Sequence, residues 1–206
     1  MARKTKEEAQ ATRGRILTVA AELFHEKGYV ATSLEDIAEA AAMTRGAIYW
    51  HFKNKPDLFA QLHEQIHEGF MARLRDSLAS DKDGPLERLK KLSIDILLDF
   101  EADQSRRKAL GIFFCTDSLP EELQPFIQIR HSREEAALKI TAEFFKRAIE
   151  KGELAAHKDP PFLAQALFCY VCGIIHERIN NPGLMPLHEN AEKLISLFFD
   201  GVRHGQ

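Results

Sequence analysis

Cysteine is scarce in this chain, and the three present in 206 residues are an odd number, unfit for the paired framework of a small secreted domain. Reduced thiols are expected. Nowhere does the sequence stay apolar for the roughly 18–20 residues that cross a bilayer, and it shows no secretory or lipidation signal. A cytoplasmic chain without a membrane partner is expected. Glycine-rich phosphate loops, HExxH and GxSxG are missing, and no nucleophile stands beside a recognisable base, so neither an enzyme nor a cofactor is expected. There is no β-alternation, internal repeat or low-complexity stretch, which leaves an all-α chain. Net charge is only -3, but it is unevenly spread. Residues 1–55 carry 9 Lys/Arg against 7 Asp/Glu, and the remainder 19 against 24.

What is present is 45% apolar residues, ample for the core of one large or two modest domains. One stretch organises the rest: SLEDIAEAAAMTRGAIYWHFKNK, Ser33 to Lys55. Ser33, with Asp36 three residues on, signals a capped helix whose Leu34, Ile37, Ala38 and Ala41 share a face. Ala42 and Met43 make a turn. Thr44 then caps a second helix in which Ile48 and Phe52 pack inward, leaving Arg45, Gly46, Ala47, Tyr49, Trp50 and His51 outward. An arginine in the first turn of such a helix can read guanine, and small residues beside it allow close approach. Three rings with polar tips, beside Lys53 and Lys55, suit phosphate oxygens more than bare solvent. The free N-H groups around Asn54 to Asp57 suit a phosphate too. Arg3, Lys4, Lys6, Arg13 and Arg15 form a basic arm able to lie in a groove.

The run TRGAIYWHFKNK, after a capped helix and an amphipathic first helix, resembles the DNA-binding domain of the tetracycline-repressor (TetR) family. The opening MARKTKEEAQATR further resembles repressors of multidrug efflux pumps, regulators tied to antibiotic resistance. The resemblance implies a three-helix DNA-binding head over 1–55 and an α-helical ligand-binding and dimerisation domain over 56–206, about nine helices in all. One departure stands out. Ala42 occupies a turn position where the family has Gly, so a slightly different turn is expected.

The first helix reads from Glu7 to Lys27, with Gly28 as its stop, and a linking helix runs from Pro56 to Ala79. Pro85 opens a helix through Phe100, followed by a short, weak apolar piece, Ala109 to Cys115. Pro120 to Lys151 reads as a long helix bent near Pro125, ended by Gly152. Phe162 to Ile175 is apolar on every side yet, at 14 residues, too short to span a membrane. With the last helix, Leu187 to Arg203, it offers more apolar surface than one chain needs, which predicts a homodimer through Leu167, Tyr170, Ile174, Leu194, Phe198 and Val202.

By the resemblance, the chain is a dimeric repressor on a palindromic operator, nucleoid-associated, and released by small hydrophobic compounds of drug-like or plant-aromatic type. Ser33 and Thr44 join the outward residues at the DNA. Facing apolar stripes broken by a few polar groups nominate the compound's site. The candidate lining is His67, Phe70, Leu92, Ser93, Ile96 and Phe113, together with Ile140, Phe144, Phe168, Cys172 and His176. The alternative is a metal or redox sensor using His63 and His67 at i, i+4, and Cys169, Cys172 and His176.

Overall fold

The computed structural model describes residues 6–114 and 120–204, leaving aside the side chains of residues 105, 106 and 114. Cys115 and the first two cations of the basic arm, Arg3 and Lys4, lie outside them. Among the described residues there are nine α-helices and one 3-10 turn, with no strand. The head holds α1 (Lys6–Ala31), α2 (Leu34–Ala40) and α3 (Arg45–His51), followed by α4 (Lys55–Ala79). Then come α5 (Pro85–Ala102), α6 (Gln104–Phe114), the 3-10 turn Glu121–Leu123, α7 (Gln124–Glu150), α8 (Pro160–Asn180) and α9 (Leu187–His204).

These elements gather into two compact units. The first takes residues up to Ile66 together with Ser105–Ile127, and the second His67–Gln104 with Gln128–Gln206. In the first, Ile16, Leu17, Ala20 and Phe24 of α1 recur at helical spacing and are buried against Ile37, Ile48, Phe52, Leu58 and Phe59. Aromatic edges fill the middle: Phe59 meets Tyr29 at 5.0 Å, Phe113 at 5.0 Å and Phe126 at 5.1 Å between ring centres. Such edge-to-face pairs add about 0.5–1.5 kcal/mol each beyond simple burial. Gly28 takes φ 81, the expected interruption, and one further turn of helix follows it.

In the second unit α5 packs on α9 and α8. Leu187, Ala191, Ile195 and Phe199 fall every fourth residue and are buried, so α9 shows one clean inward stripe. Glu101 and Arg178 make a two-pronged ion pair at 2.8 and 2.9 Å, joining the last turns of α5 and α8.

Three elements differ from expectation, the first being α6, which begins at Gln104 and takes in polar residues ahead of the apolar piece at Ala109. Pro125 does not bend α7; it sits in the helix's first turn, just after the 3-10 turn, where a missing N-H costs nothing. Helix α8 has 21 residues, with prolines at its start and Arg178 near its end. It is long and apolar enough to cross a membrane by length and composition alone, and its most apolar window is only 28% buried within the chain.

Candidate nucleic-acid interface

The α2–turn–α3 corner is fixed by short-range polar chemistry. Ser33 Oγ accepts from the Asp36 N-H at 3.1 Å while the Asp36 carboxylate accepts from the Ser33 N-H at 2.8 Å, a reciprocal cap. Hydrogen bonding from the Ser33 side chain and backbone holds the Asp36 carboxyl below its usual range. At the far end of α2, Met43 N-H donates to Ala38 O and Ala42 N-H to Glu39 O, both at 2.9 Å. This double closure needs a left-handed residue, and Ala42 supplies it at φ 53, the one non-glycine positive φ among the described residues. No altered turn has formed. The left-handed turn is kept, with the alanine accepting a strain of about 1–2 kcal/mol. The same closure ends α7, where Glu153 N-H reaches Ala148 O at 2.8 Å, but there Gly152 holds the position at φ 74. Thr44 Oγ1 then accepts from Ala47 N-H at 3.2 Å and starts α3.

Ile48 and Phe52 are buried, so α3 turns its other face out. Trp50 is 72% exposed and Tyr49 45%, with Thr44, Arg45 and Gly46 exposed beside them and Ser33, Ala47 and His51 half-buried. The His51 ring stands edge-on to Trp50 at 4.5 Å. A Cβ at Gly46 would approach only Thr44 Oγ1, at 4.0 Å, so internal packing does not demand glycine and the space in front of it is open. Arg45 is engaged by its own chain: Nε donates to Glu35 Oε1 at 2.9 Å, Nη2 to the Tyr49 hydroxyl at 3.3 Å, and the guanidinium lies 5.3 Å from the Tyr49 ring centre. No sequence spacing signals Glu35 as a partner, since only the turn brings it to Arg45.

Several of the cations expected at phosphates are engaged within the first unit. Lys55 Nζ donates to the carbonyls of Tyr29 at 3.1 Å and Thr32 at 3.0 Å and rests 4.3 Å from the Tyr29 ring centre, capping the end of α1. Arg13 donates to Gln61 Oε1, and Arg15 Nη2 to Ala41 O at 2.6 Å. The start of α4 is closed by its own side chains as well: Asn54 Oδ1 accepts from Asp57 N-H and the Asp57 carboxylate from Lys53 N-H, each at 2.8 Å. The Lys53 side chain itself is exposed.

Of the residues nominated for a small compound, His67, Phe70, Ile96, Ile140, Phe168 and Cys172 are half-buried in the second unit, while Leu92, Ser93 and Phe144 are buried outright. His67 Nε2 lies 3.3 Å from Arg133 O, and desolvation lowers the pKa of its ring. Two nominees fall elsewhere. Phe113 belongs to the first unit, packed against Phe59, His63 and Phe126, and His176 is exposed on α8 with Asn180 beside it. Among the proposed dimer contacts, Leu167 and Ile174 face the chain's own core at 4% and 7% exposure, which removes them from a partner's reach. Tyr170 donates to Leu194 O at 2.9 Å and stacks on Phe198 at 5.5 Å, joining α8 to α9 within the chain, and Val202 is half-buried. The outward stripe of α8 is instead Phe162, Gln165, Cys169, Gly173 and His176, with Leu197 of α9 also exposed.

Metal or oxidant sensing has little to rest on. His63 packs between Phe113 and Phe126, and among the described residues no three His, Cys, Asp or Glu are placed to hold an ion. Burial, then Glu134 and Cys169, push the Cys172 thiol up to about 12, so it remains protonated and unreactive at neutral pH.

Residues 16–62 match bacterial regulatory proteins of the tetR family, and residues 84–203 match the C-terminal region of MAATS-type transcriptional repressors. The chain is 34% identical to the HTH-type transcriptional regulator TtgR of Pseudomonas putida, an alignment covering 98% of this chain and 97% of that one. Among solved structures it is similar to NalD, the secondary repressor of the MexAB-OprM multidrug efflux pump in Pseudomonas aeruginosa, with TM-score 0.81, 30% identity and coverage of 98% and 100%. It is also similar to SmeT, the repressor of the Stenotrophomonas maltophilia multidrug efflux pump SmeDEF. In its complex with triclosan that protein superposes with TM-score 0.85 at 30% identity, covering 95% of this chain and 94% of the other.

Proposed function

The chain belongs to the TetR family of bacterial regulatory proteins, and from that premise we propose a homodimeric repressor of a multidrug efflux operon, released from its operator by small apolar compounds. The observation that carries this reading is the outward face of α3. A capped helix aims an arginine and open space from its first turn, and exposed rings with polar tips from its last. Arg45 reads bases in the major groove. Tyr49, Trp50, His51 and Lys53 hold phosphates on either side, and Ser33 and Thr44 meet the backbone through the ends of their helices. Lys55 acts indirectly, through the end of α1.

Two heads on successive major grooves, about 34–36 Å apart, call for a palindromic operator and a two-fold dimer. The thinly covered α8, with Phe162 and Leu197 in solvent, supports a second copy as its cover. Such a protein works in the cytoplasm, on the nucleoid. SmeT forms a complex with triclosan, and by that likeness the half-buried set around His67, Phe70, Ile96, Ile140, Phe168 and Cys172 takes an aromatic, drug-like inducer here. Helix α4 contributes residues to both compact units and transmits the change. The inducer need only prefer the conformation that cannot bind DNA, and a 100-fold preference is about 2.7 kcal/mol.

The test is a titration of the full-length protein on its own gene's upstream DNA at graded salt, with and without triclosan. Expected are a retarded complex at nanomolar to micromolar protein, affinity falling steeply with salt, and release on adding triclosan or a related aromatic. Binding to unrelated DNA of equal strength would overturn the repressor reading, and a complex indifferent to every apolar aromatic tried would overturn induction.

A further inference from the structure

We propose that Glu35 is a positioning residue for base reading: its carboxylate holds Arg45 by Nε and leaves the outer fork of the guanidinium to be presented to a guanine. The inference rests on α3 being the DNA-reading helix. Arg45 lies in the exposed first turn of that helix, where an unrestrained arginine would sweep through many rotamers and take whichever phosphate it met first. It is restrained at three points. Glu35 Oε1 accepts from Nε at 2.9 Å, the Tyr49 hydroxyl accepts from Nη2 at 3.3 Å, and the Tyr49 ring supports the guanidinium at 5.3 Å. The Nε contact matters most, because end-on recognition of guanine O6 and N7 uses the two terminal nitrogens and does not need Nε. Glu35 and a guanine can therefore be served together.

Glu35 is itself well placed for the task. It follows Leu34 and precedes Asp36, so the buried leucine and the reciprocal cap fix its backbone, while its own side chain stays half in solvent. An exposed ion pair of this kind adds little to stability, so holding the fold is a poor account of it. Its charge has a second effect. A carboxylate beside Arg45 repels phosphates that approach out of register, so Glu35 strengthens the right sequence and weakens every other one.

The test compares the unmodified full-length protein with Glu35→Gln, Glu35→Ala, Arg45→Ala and the Glu35→Gln/Arg45→Ala double variant. Two probes are used: a duplex selected by the unmodified protein from a randomised pool, with a set in which each guanine is replaced in turn, and an unrelated duplex of equal length. Circular dichroism sets a temperature at which every variant is folded. Glu35→Gln is expected to weaken the selected duplex about 3- to 10-fold and to tighten the unrelated one about 2- to 3-fold. The guanine replacement that the unmodified protein resists most should become nearly neutral, and Glu35→Gln should add nothing once Arg45 is alanine. If both Glu35 variants keep the preference for the selected duplex and the same guanine discrimination, while Arg45→Ala loses them, the role of Glu35 is refuted and the DNA-reading helix stands. If Arg45→Ala also changes nothing, the reading of α3 falls with it.

Discussion

Tyr49 and Trp50 on α3, and Phe162 on α8 with Leu197 on α9, are large side chains left in water, but they end differently. The first pair carry a hydroxyl and an indole N-H at their tips and stand near exposed Arg45 and Lys53. The second pair end in bare hydrocarbon, 68% and 69% exposed, and Phe162 shares its stripe with Gln165, a thiol, a glycine and His176. Rings with polar ends suit a hydrated, charged partner, and bare ones suit a surface like their own. The exposed rings of α3 thus favour the DNA proposed above as their partner, and the bare side chains on α8 and α9 a second copy of the chain. The α2–α3 corner is also held differently from the last helix: helix caps a few residues long set the corner, and a buried stripe sets α9.

That contrast can be broken at either end. Replacing Phe162 and Leu197 together with glutamate should give the largest effect, a dimer falling to monomer in sedimentation velocity and operator affinity dropping by about 100-fold or more as the two heads lose their linkage. Trp50→Ala should lower operator affinity about tenfold and leave the sedimentation coefficient where it was. If Trp50→Ala altered assembly, or the glutamates altered only DNA binding, the division of labour between the patches would be wrong. Ser33→Ala sharpens the second half of the contrast. Removing one side of the reciprocal cap should cost about 1 kcal/mol in urea unfolding. Ala42→Gly should raise stability by about 0.5 kcal/mol, the relief of left-handed strain exceeding the added freedom of the unfolded chain. The smallest effect belongs to the second unit. Burial lowers the pKa of His67 in the folded state, so as pH falls from neutral through the ordinary histidine range the unfolded chain takes up a proton the native ring resists, and stability falls with it. His67→Gln should flatten that part of the pH profile.

How legible the molecule was in its sequence follows the same division. Ser33 with Asp36, Thr44 with Ala47, and Ile48 with Phe52 are partners within four residues, so their pattern already states the geometry. Arg45 with Glu35 and Lys55 with Tyr29 depend on how a turn folds back, and spacing alone does not bring them together. A helix apolar all round, such as α8, gives no phase: the sequence marks a hidden face without saying that Leu167 and Ile174 are on it and Phe162 is not. For the same reason Phe113, on a short apolar helix, could be assigned to a cavity wall when its neighbours are Phe59 and Phe126.

Lys55 is the first residue of α4, and its ammonium grips the last carbonyls of α1. Any rotation of that opening turn must drag α1 along, and with α1 the core against which α2 and α3 rest. The head is therefore built in one piece, like a key whose teeth cannot be turned separately from its shank.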